Sequence, residues 1–472
     1  MAGTMSAMIF SRIRNLLRGS TRSYAAIAGG RRTRGRLDMP AALSAMHIAR
    51  GPLARRARYL AANNALAASG VEAWVSALVG TGIKPQSAHA DPDARAALNL
   101  AFENWTDEAD ADGLTDHYGQ QAIMVRRMVI DGEAFALLVN TDAGLRVRLL
   151  DAEQVDASLN RELRDGGRIV QGIEFDAAGR RVAYPVLPER PGMPFAVLPL
   201  TPTRVPAEQV VHMFRPEVPG QVRGISWFAP VMLRLADLDQ WRDAQLVRQK
   251  VAAMLAGFVT SVDGSGQPFE GEQRGAGLVG GLEPGTLKYL DAGQDIRFSE
   301  PAKIGAEVID FAKVTEREIA VGLGLPASIF TGDLSEVNYS SIRAGLVEWR
   351  RRVEAIQHGV IAFQALRPIW KRWAATEVLS GRVTSTVDAA MPVKFITPKQ
   401  QWVDPAKDVQ AELDAIAGGL MSRREAVTAR GVDIEALDAE IAADNQRAAA
   451  LGLGFTNPNR KEASNADAKP TE

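Results

Sequence analysis

The spacing of apolar positions changes period several times along this chain, and each change marks an element. From Arg50 to Leu78 apolar residues recur at helical intervals (Leu60, Leu66, Val71, Trp74, Leu78), with Asn63 and Asn64 on the polar side, until Gly80-Thr-Gly82 ends the run. Asp91 to Trp105 and Asp116 to Ile130 repeat the pattern. After Asp131-Gly132 the period becomes two, which predicts strands over Ala134–Val139, Leu145–Leu150, Ile169–Phe175, Arg181–Val186 and Gln209–Phe214. Asp176-Ala-Ala-Gly179 reads as a hairpin turn, and Pro188 to Pro206 as an irregular excursion. Helices segregated from antiparallel strands define an α+β body.

Beyond the Gly/Pro linker at Pro216–Gly224, Trp227 to Leu255 is the longest helical pattern, too long for a compact core and suited to a stalk. Gly257 to Pro301 is Gly-rich, with short strands expected at Phe258–Val262, Leu287–Leu290 and Ile296–Phe298 and a turn at Leu282-Glu-Pro-Gly285. A second helix runs from Gly305 to Gly322 and is stopped by Gly322, Gly324 and Pro326. Thr331 to Ser341 is then a polar crossing, with Ser340 or Ser341 placed to cap the next helix, Ser341–Leu379. A strand at Val393–Ile396, a helix opened by Asp404-Pro-Ala-Lys407, a capping box at Ser422-Arg-Arg-Glu425 and a helix over Ile434–Leu451 complete the order. Thr456 to Glu472 is polar and expected to be disordered.

Composition adds bounds to this layout. With 472 residues, 46% apolar, the chain can bury more than one structural unit. A formal charge of -1 argues against a protein dedicated to coating DNA, because phosphate neutralisation dominates nonspecific affinity. The charge is unevenly placed: Arg12, Arg14, Arg18, Arg22, Arg31, Arg32, Arg34 and Arg36 open a basic arm with almost no acid before Glu72. Such a start also has the composition of a transit peptide, but the arginine pattern continues past Arg50 into a helix, and clustered charge of this kind favours an arm that orders on a partner or on nucleic acid. No apolar run reaches the roughly 20 residues of a membrane span.

Candidate chemistry is sparse. Without cysteine there are no disulfides or thiolate sites, and the five histidines are scattered singly. No phosphate loop, HExxH, GxSxG or dinucleotide fingerprint appears. Glu108-Ala-Asp-Ala-Asp-Gly113 imitates the start of a calcium loop, but Gly119 stands where the bidentate acid belongs. Ser340 and Ser341 have no neighbouring histidine to activate them, and Asp333 with Glu336 reads as a solvated pair. The sequence thus predicts no catalytic residue, no cofactor and no metal site. Two other classes stay open: a metal-dependent nuclease using carboxylates such as Asp131 and Glu133, and a nucleic-acid-binding protein acting through its basic arm.

An ordered set of short motifs then carries a resemblance. Arg22-Ser-Tyr-Ala-Ala26, Arg55-Arg56-Ala57-Arg58, Gly80-Thr-Gly-Ile83, Gly132-Glu-Ala-Phe135, Pro219-Gly-Gln-Val-Arg-Gly-Ile225, Leu282-Glu-Pro-Gly285, Asn338-Tyr-Ser-Ser341 and Asp404-Pro-Ala-Lys407 follow one another as in lambda-type portal proteins of tailed bacteriophages, which the chain resembles as far as Leu453. Glu217-Val218 lengthens the approach to Pro219-Gly220 relative to that pattern. The resemblance implies a portal-type fold: basic arm 1–50, α+β wing 51–224, stem helix 225–255, clip 256–302, stem helix 303–325, tunnel loop 326–341, a long helix returning to the wing over 342–400, a C-terminal helical region 401–455 and a tail 456–472. It implies a homo-oligomer, a dodecameric ring at the capsid vertex of the virion, assembled in the host cytoplasm. Double-stranded DNA would pass through it during packaging and ejection. Thr331, Asp333, Ser335, Glu336, Asn338 and Ser340 would face that DNA, with Gly324, Pro326 and Ser341 ending and capping the loop. The clip would dock the large terminase subunit and then the head-completion proteins. Arg12, Arg14, Arg31, Arg32 and Arg34 would meet capsid or scaffold protein, with no membrane involved.

Overall fold

The computed structural model describes residues 42–193, 201–253, 305–335, 339–398 and 405–453, with four short strands at 257–261, 272–274, 277–279 and 294–298. Residues 1–41 of the basic arm lie outside these residues, as do the Leu282–Gly285 turn and the strand expected at Leu287–Leu290; the arm's expected end, 42–50, is instead the start of the first helix, with Arg50 buried. The first helical run is two helices, α1 (Ala42–Asn63) and α2 (Ala65–Leu78). Asn64 divides them because its backbone is extended and its side chain caps α2, accepting from Ala67 N at 3.0 Å. An asparagine read as a polar-face residue is therefore a helix boundary. Helices α3 (Pro92–Thr106) and α4 (His117–Asp131) begin at the N-caps Asp91 and Asp116. The calcium-loop mimic between them is a hydrogen-bonded turn, in which Asp110 accepts from Leu114 N at 2.8 Å, Asp112 N at 3.1 Å, Thr115 N at 3.2 Å and Gln120 Nε2 at 2.9 Å.

Strand β2 (Glu133–Thr141) is central to a three-stranded antiparallel sheet, between β3 (Gly144–Leu150) and β9 (Val210–Phe214). Its period-two pattern sorts side chains to two cores. Ala134, Ala136 and Leu138 join the large core, with Trp74, Met128, Ile319 and Trp370. Phe135 faces a smaller one, with Val155, Ile173, Tyr184 and Val186. A second antiparallel sheet covers the smaller core in the order β4 (Arg161–Glu162), β5 (Arg168–Val170), β6 (Ile173–Phe175), β7 (Arg181–Val186) and β8 (Thr203–Pro206). Two features differ from expectation. The run Ile169–Phe175 folds back at Gln171, whose φ of 51° opens a hairpin, and the end of the proline-rich excursion is the edge strand β8, where proline costs no ladder bond. Strand β1 (Lys84–Ser87), too short and polar to announce itself, pairs with β14 (Val393–Ile396), the strand expected there.

Helix α5 spans Met232–Ala253, the same 22 residues in length as α1, while Trp227–Val231 forms turns before it. Strands β10 (Gly257–Ser261) and β13 (Gln294–Phe298) pair antiparallel, as do β11 (Glu272–Arg274) and β12 (Gly277–Val279). Helix α6 (Ala306–Leu323) lies beside α5, with Trp241 against Phe311 at 5.1 Å and Arg242 paired with Glu316. The short helix α7 (Ala327–Thr331) and the long α8 (Tyr339–Ile356) follow. α8 runs without a break through a π-helical segment, Gln357–Leu366, into α9 (Arg367–Leu379). The wide turns end at Arg367-Pro368, where proline has no N–H to donate. After α10 (Val387–Ala390) and β14 come α11 (Pro405–Ala417), α12 (Arg423–Thr428) and α13 (Ile434–Ala450). At α12 Ser422 accepts from Glu425 N at 3.0 Å, the first half of the expected capping box. This last group is fixed to the body by polar contacts, Arg95 to Glu435 at 3.0 Å, Arg343 to Asp408 at 2.9 Å and Gln86 to Asp433.

His117 opens α4 inside an aromatic cluster, with ring centroids 5.8 Å from Phe102 and 5.2 Å from Trp105. Burial pushes its imidazole from 6.5 down to about 4. Below about pH 6.5 the unfolded chain gains a proton here that the folded chain refuses, so folding weakens by about 1.4 kcal/mol per pH unit until about pH 4. Denaturant titrations of the unassembled chain should show one proton less in this slope for His117→Phe; an unchanged slope would mean the buried ring does not set it.

Candidate functional site

The polar loop is hung from a junction whose backbone is fixed on all sides. Gly324 ends α6 in the left-handed region (φ 77°), and Leu325 N returns to Ala320 O at 2.9 Å. The freed carbonyls are taken by side chains from elsewhere: Trp74 Nε1 donates to Leu323 O at 3.1 Å and Arg352 Nη1 to Gly324 O at 3.0 Å. Gly70 on α2 has no Cβ where Leu323 and Phe330 come within 3.3 Å, and Ser69 Oγ donates to Phe330 O at 3.1 Å. Gly322 stands where a Cβ would lie 2.3 Å from Val231, so it also sets how closely α6 passes the approach to α5.

Inside the loop the structure redraws the expected limits. Pro326 precedes α7 and Thr331 is its last residue, half-buried, with Oγ1 donating to Ala327 O at 2.8 Å. The open crossing among the described residues is Gly332 to Ser335; Glu336 and Asn338 lie outside them. Helix α8 starts at Tyr339, so Ser340 and Ser341 are in its first turn, and Ser341 does not take the cap position expected of it. A capping residue has extended backbone and stands before the helix, whereas these serines are already wound into it. Asp333 is exposed, and its Oδ1 accepts from Ser335 N at 2.9 Å. Hydrogen bonds from Ser335, helped by Lys313 and Arg317 of α6, hold its carboxyl below the usual carboxylate range. Those two cations reach the loop across space, so the charge of residues 331–341 alone understates what surrounds Asp333.

A second site joins two of the short motifs. Gly132-Glu133 and Arg223-Gly224 cross at contact distance, where a Cβ on Gly132 would lie 2.2 Å from the Ile225 carbonyl carbon and one on Gly224 2.0 Å from Gly132 O. At this crossing Glu133 is fully buried and accepts from both Nε and Nη2 of Arg223 (2.6 Å to Nη2), from Gly224 N at 3.0 Å, from His212 Nε2 at 3.1 Å, and from Arg50 of α1. The remaining donors of Arg223 go to Val155 O at 3.0 Å, Gln171 O at 2.7 Å and Ala152 O at 3.1 Å. The left-handed Gln171 is thereby explained, since the hairpin turn aims its carbonyl at this guanidinium. Burial works to raise the Glu133 carboxyl, but Arg223 and Arg50 override it and hold the group well below the usual range. Burial takes His212 down to about 4, so it bonds Glu133 as a neutral ring. Asp131 is raised by burial against the pull of Arg127 and Arg58, and both arginines bond it.

The two carboxylates nominated for a nuclease are therefore occupied by guanidinium groups. Among the described residues no set of three His, Asp or Glu side chains is arranged to hold a metal ion. An acid bonded by two arginines and a histidine makes a clasp that fixes the crossing from which the paired helices α5 and α6 leave the body. A family model, "Phage portal protein, lambda family", matches residues 29–357, and the chain belongs to that family. Its relatives include a probable portal protein of Halomonas phage phiHAP-1, 24% identical over 379 residues that span 77% of this chain and 73% of the phage protein. Similar solved structures include a chain from the neck of a native gene transfer agent particle computed with C12 symmetry, 15% identical, with a TM-score of 0.46 over 85% of this chain and 94% of that one. An HK97-family portal protein from Corynebacterium diphtheriae is 12% identical, with a TM-score of 0.31 over 75% of this chain and 96% of that one.

Removing one member of a buried ion cluster leaves the others unpaired, at a cost of about 3–5 kcal/mol. Glu133→Gln should lose that much in urea denaturation of the unassembled chain, and Gly224→Ala should lose a similar amount because backbone must move. A loss under about 1 kcal/mol in both would show that the crossing is not under the constraint its geometry describes.

Proposed function

We propose that copies of this portal-family chain close into a ring around a DNA channel at one capsid vertex. The observation that carries the reading, beside the family itself, is apolar surface on α5 and α6 that a single chain leaves open. A helical run from Trp227 onward that is too long for a compact core would leave a long apolar stripe exposed on an isolated chain. Its first part is instead buried in the body, at Trp227, Phe228, Val231, Leu235 and Leu238, because Trp227 packs on Trp74 of α2 and the helix base packs on α1 and α6. Open apolar positions remain at Leu233, Leu246 and Val247 on α5 and at Phe311, Val314 and Val321 on α6, where Val321 is 76% exposed. On α6 these follow a spacing of three and seven, with Glu318 between, which is the seam of a helix that packs against another. Head-to-tail contacts that bury such a seam close when the rotation per copy divides the circle. Twelve copies is the number the family resemblance suggests.

In this reading α5 and α6 are the stem, the body is the wing, and the segment from 256 to 302 is the clip that docks the large terminase subunit and later the head-completion proteins. The arm with Arg12, Arg14, Arg31, Arg32 and Arg34 meets capsid or scaffold protein. The crossing around Thr331, Asp333, Ser335, Glu336, Asn338 and Ser340 faces the channel. A conduit must let DNA slide, and every strong phosphate contact adds to the barrier at each step. Asp333 supports weak contact, and Lys313 and Arg317 behind it limit the repulsion. The function is mechanical, in the assembled particle, and needs no chemistry from the chain.

Light scattering and electron microscopy of the purified protein at micromolar concentration should show rings; a monomer throughout would overturn the reading. Val314→Glu with Val321→Glu should cut ring yield at least tenfold while circular dichroism stays unchanged. Replacing Asp333 and Glu336 by Lys should slow packaging with ring yield intact, and an unaltered rate would count against a DNA-facing loop.

A further inference from the structure

Helix α1 faces the segment after β3 across a cavity of about 500 Å³, lined among others by Arg50, Gly51, Arg55, Arg58, Ala157 and Ser158. The acids at this cavity are already engaged. Glu153 takes Arg58 at 2.5 Å and Arg190 at 3.5 Å, and Asp156 accepts from Ser158 N at 2.9 Å and Oγ at 2.7 Å. The cations are not all matched. Arg50 shares the single charge of Glu133 with Arg223, His212 adds none as a neutral ring, and the buried Nε of Arg50 has no hydrogen-bond partner. Arg50 is only 9% exposed, so the unmatched charge is largely withdrawn from solvent. Arg55, one turn further along α1, forms no ion pair with a described residue. Its Nη1 lies 3.5 Å from where a Gly51 Cβ would stand, so the guanidinium folds back along the helix between the two lining positions.

A buried cluster with surplus positive charge is stabilised by an anion brought beside it, and guanidinium groups favour the planar or tetrahedral oxyanions of carboxylate and phosphate. We propose that this cavity binds one such oxyanion group, held chiefly by Arg55 and stabilised by the charge that Arg50 and Arg223 leave uncompensated. The cavity exceeds the size of a lone ion, which leaves room for whatever carries the group. Two sources share this chemistry: a free anion, and an acidic side chain of a neighbouring copy.

The site can be tested with inorganic phosphate on the unassembled full-length chain, against chloride at matched ionic strength. Phosphate should raise the unfolding temperature with a saturable midpoint. Arg55→Gln should weaken that midpoint about tenfold, the loss of one charge-assisted contact. Arg56→Gln, which removes an adjacent exposed arginine that does not line the cavity, should leave it unchanged. Both residues are exposed, so neither variant threatens the fold. Absence of a phosphate response in the wild type, or equal responses in wild type and Arg55→Gln, would overturn the proposal. The second arm rests on the ring reading: disappearance of the response in purified rings assigns the group to a neighbouring copy, and its persistence assigns a free anion. Failure to form rings removes only this arm.

Discussion

The structure depends on one buried carboxylate. Glu133 stands at the start of the central strand, and through Arg50, His212, Arg223 and Gly224 N it reaches the first described helix, the last strand of the central sheet and the segment that leads out to α5. A group so buried tolerates ionisation only because two guanidiniums stand against it. The two crossing glycines set the distance at which those partners can meet, because any Cβ there would collide with backbone of the other segment. Charge and close approach are a single constraint, since moving either segment outward would break the bidentate contact of Arg223.

The consequences extend to the loop. Once the crossing is set, Ile225 and the following turns deliver Trp227, Phe228 and Val231 into the large core, where Trp227 meets Trp74 edge-on at 5.0 Å. Trp74 in turn holds the carbonyl of Leu323, and Val231 touches the position of Gly322. The approach to α5 and the end of α6 are therefore positioned by the same side chain of α2, Trp74. A displacement at the crossing would have to pass through packed aromatic rings before reaching the loop root, and close-packed interiors transmit such shifts rather than absorb them.

How much of this was legible in the sequence depended on whether the signal was local. The order of helices and strands followed from periodicity, and Gly324 with Pro326 announced the end of α6 through backbone chemistry alone. The division at Asn64 was missed because an asparagine within a helical run is ambiguous until its extended backbone is seen. Strand β1 escaped because Lys84–Ser87 is polar and gains its place only by pairing with residues more than 300 positions later. The clasp is split between Gly132-Glu-Ala-Phe135 and Pro219-Gly-Gln-Val-Arg-Gly-Ile225, which in sequence are separate marks of a family. Their meeting in space is a property of topology, and no window on either segment contains it. In sequence alone Glu133 is open to being a catalytic acid, the reading a carboxylate invites when its partners lie 83 and 90 residues away.

Why the junction is built from charge rather than from apolar packing follows from what it must specify. A well-packed hydrophobic replacement for a buried ion cluster is often equally stable, so stability alone does not account for Glu133 and Arg223. Apolar contacts are non-directional, and neighbouring side chains can repack around a small rotation. A planar guanidinium whose donors end on Glu133 and on the carbonyls of Ala152, Val155 and Gln171 fixes both position and orientation. At the point where a body hands over to a pair of outgoing helices, an angular error grows with distance along α5, about 33 Å at 1.5 Å per residue. In a ring the same error would recur at every contact. Directional bonding at the crossing thus holds the angle at which α5 leaves the body, the angle that the proposed ring would need every copy to share.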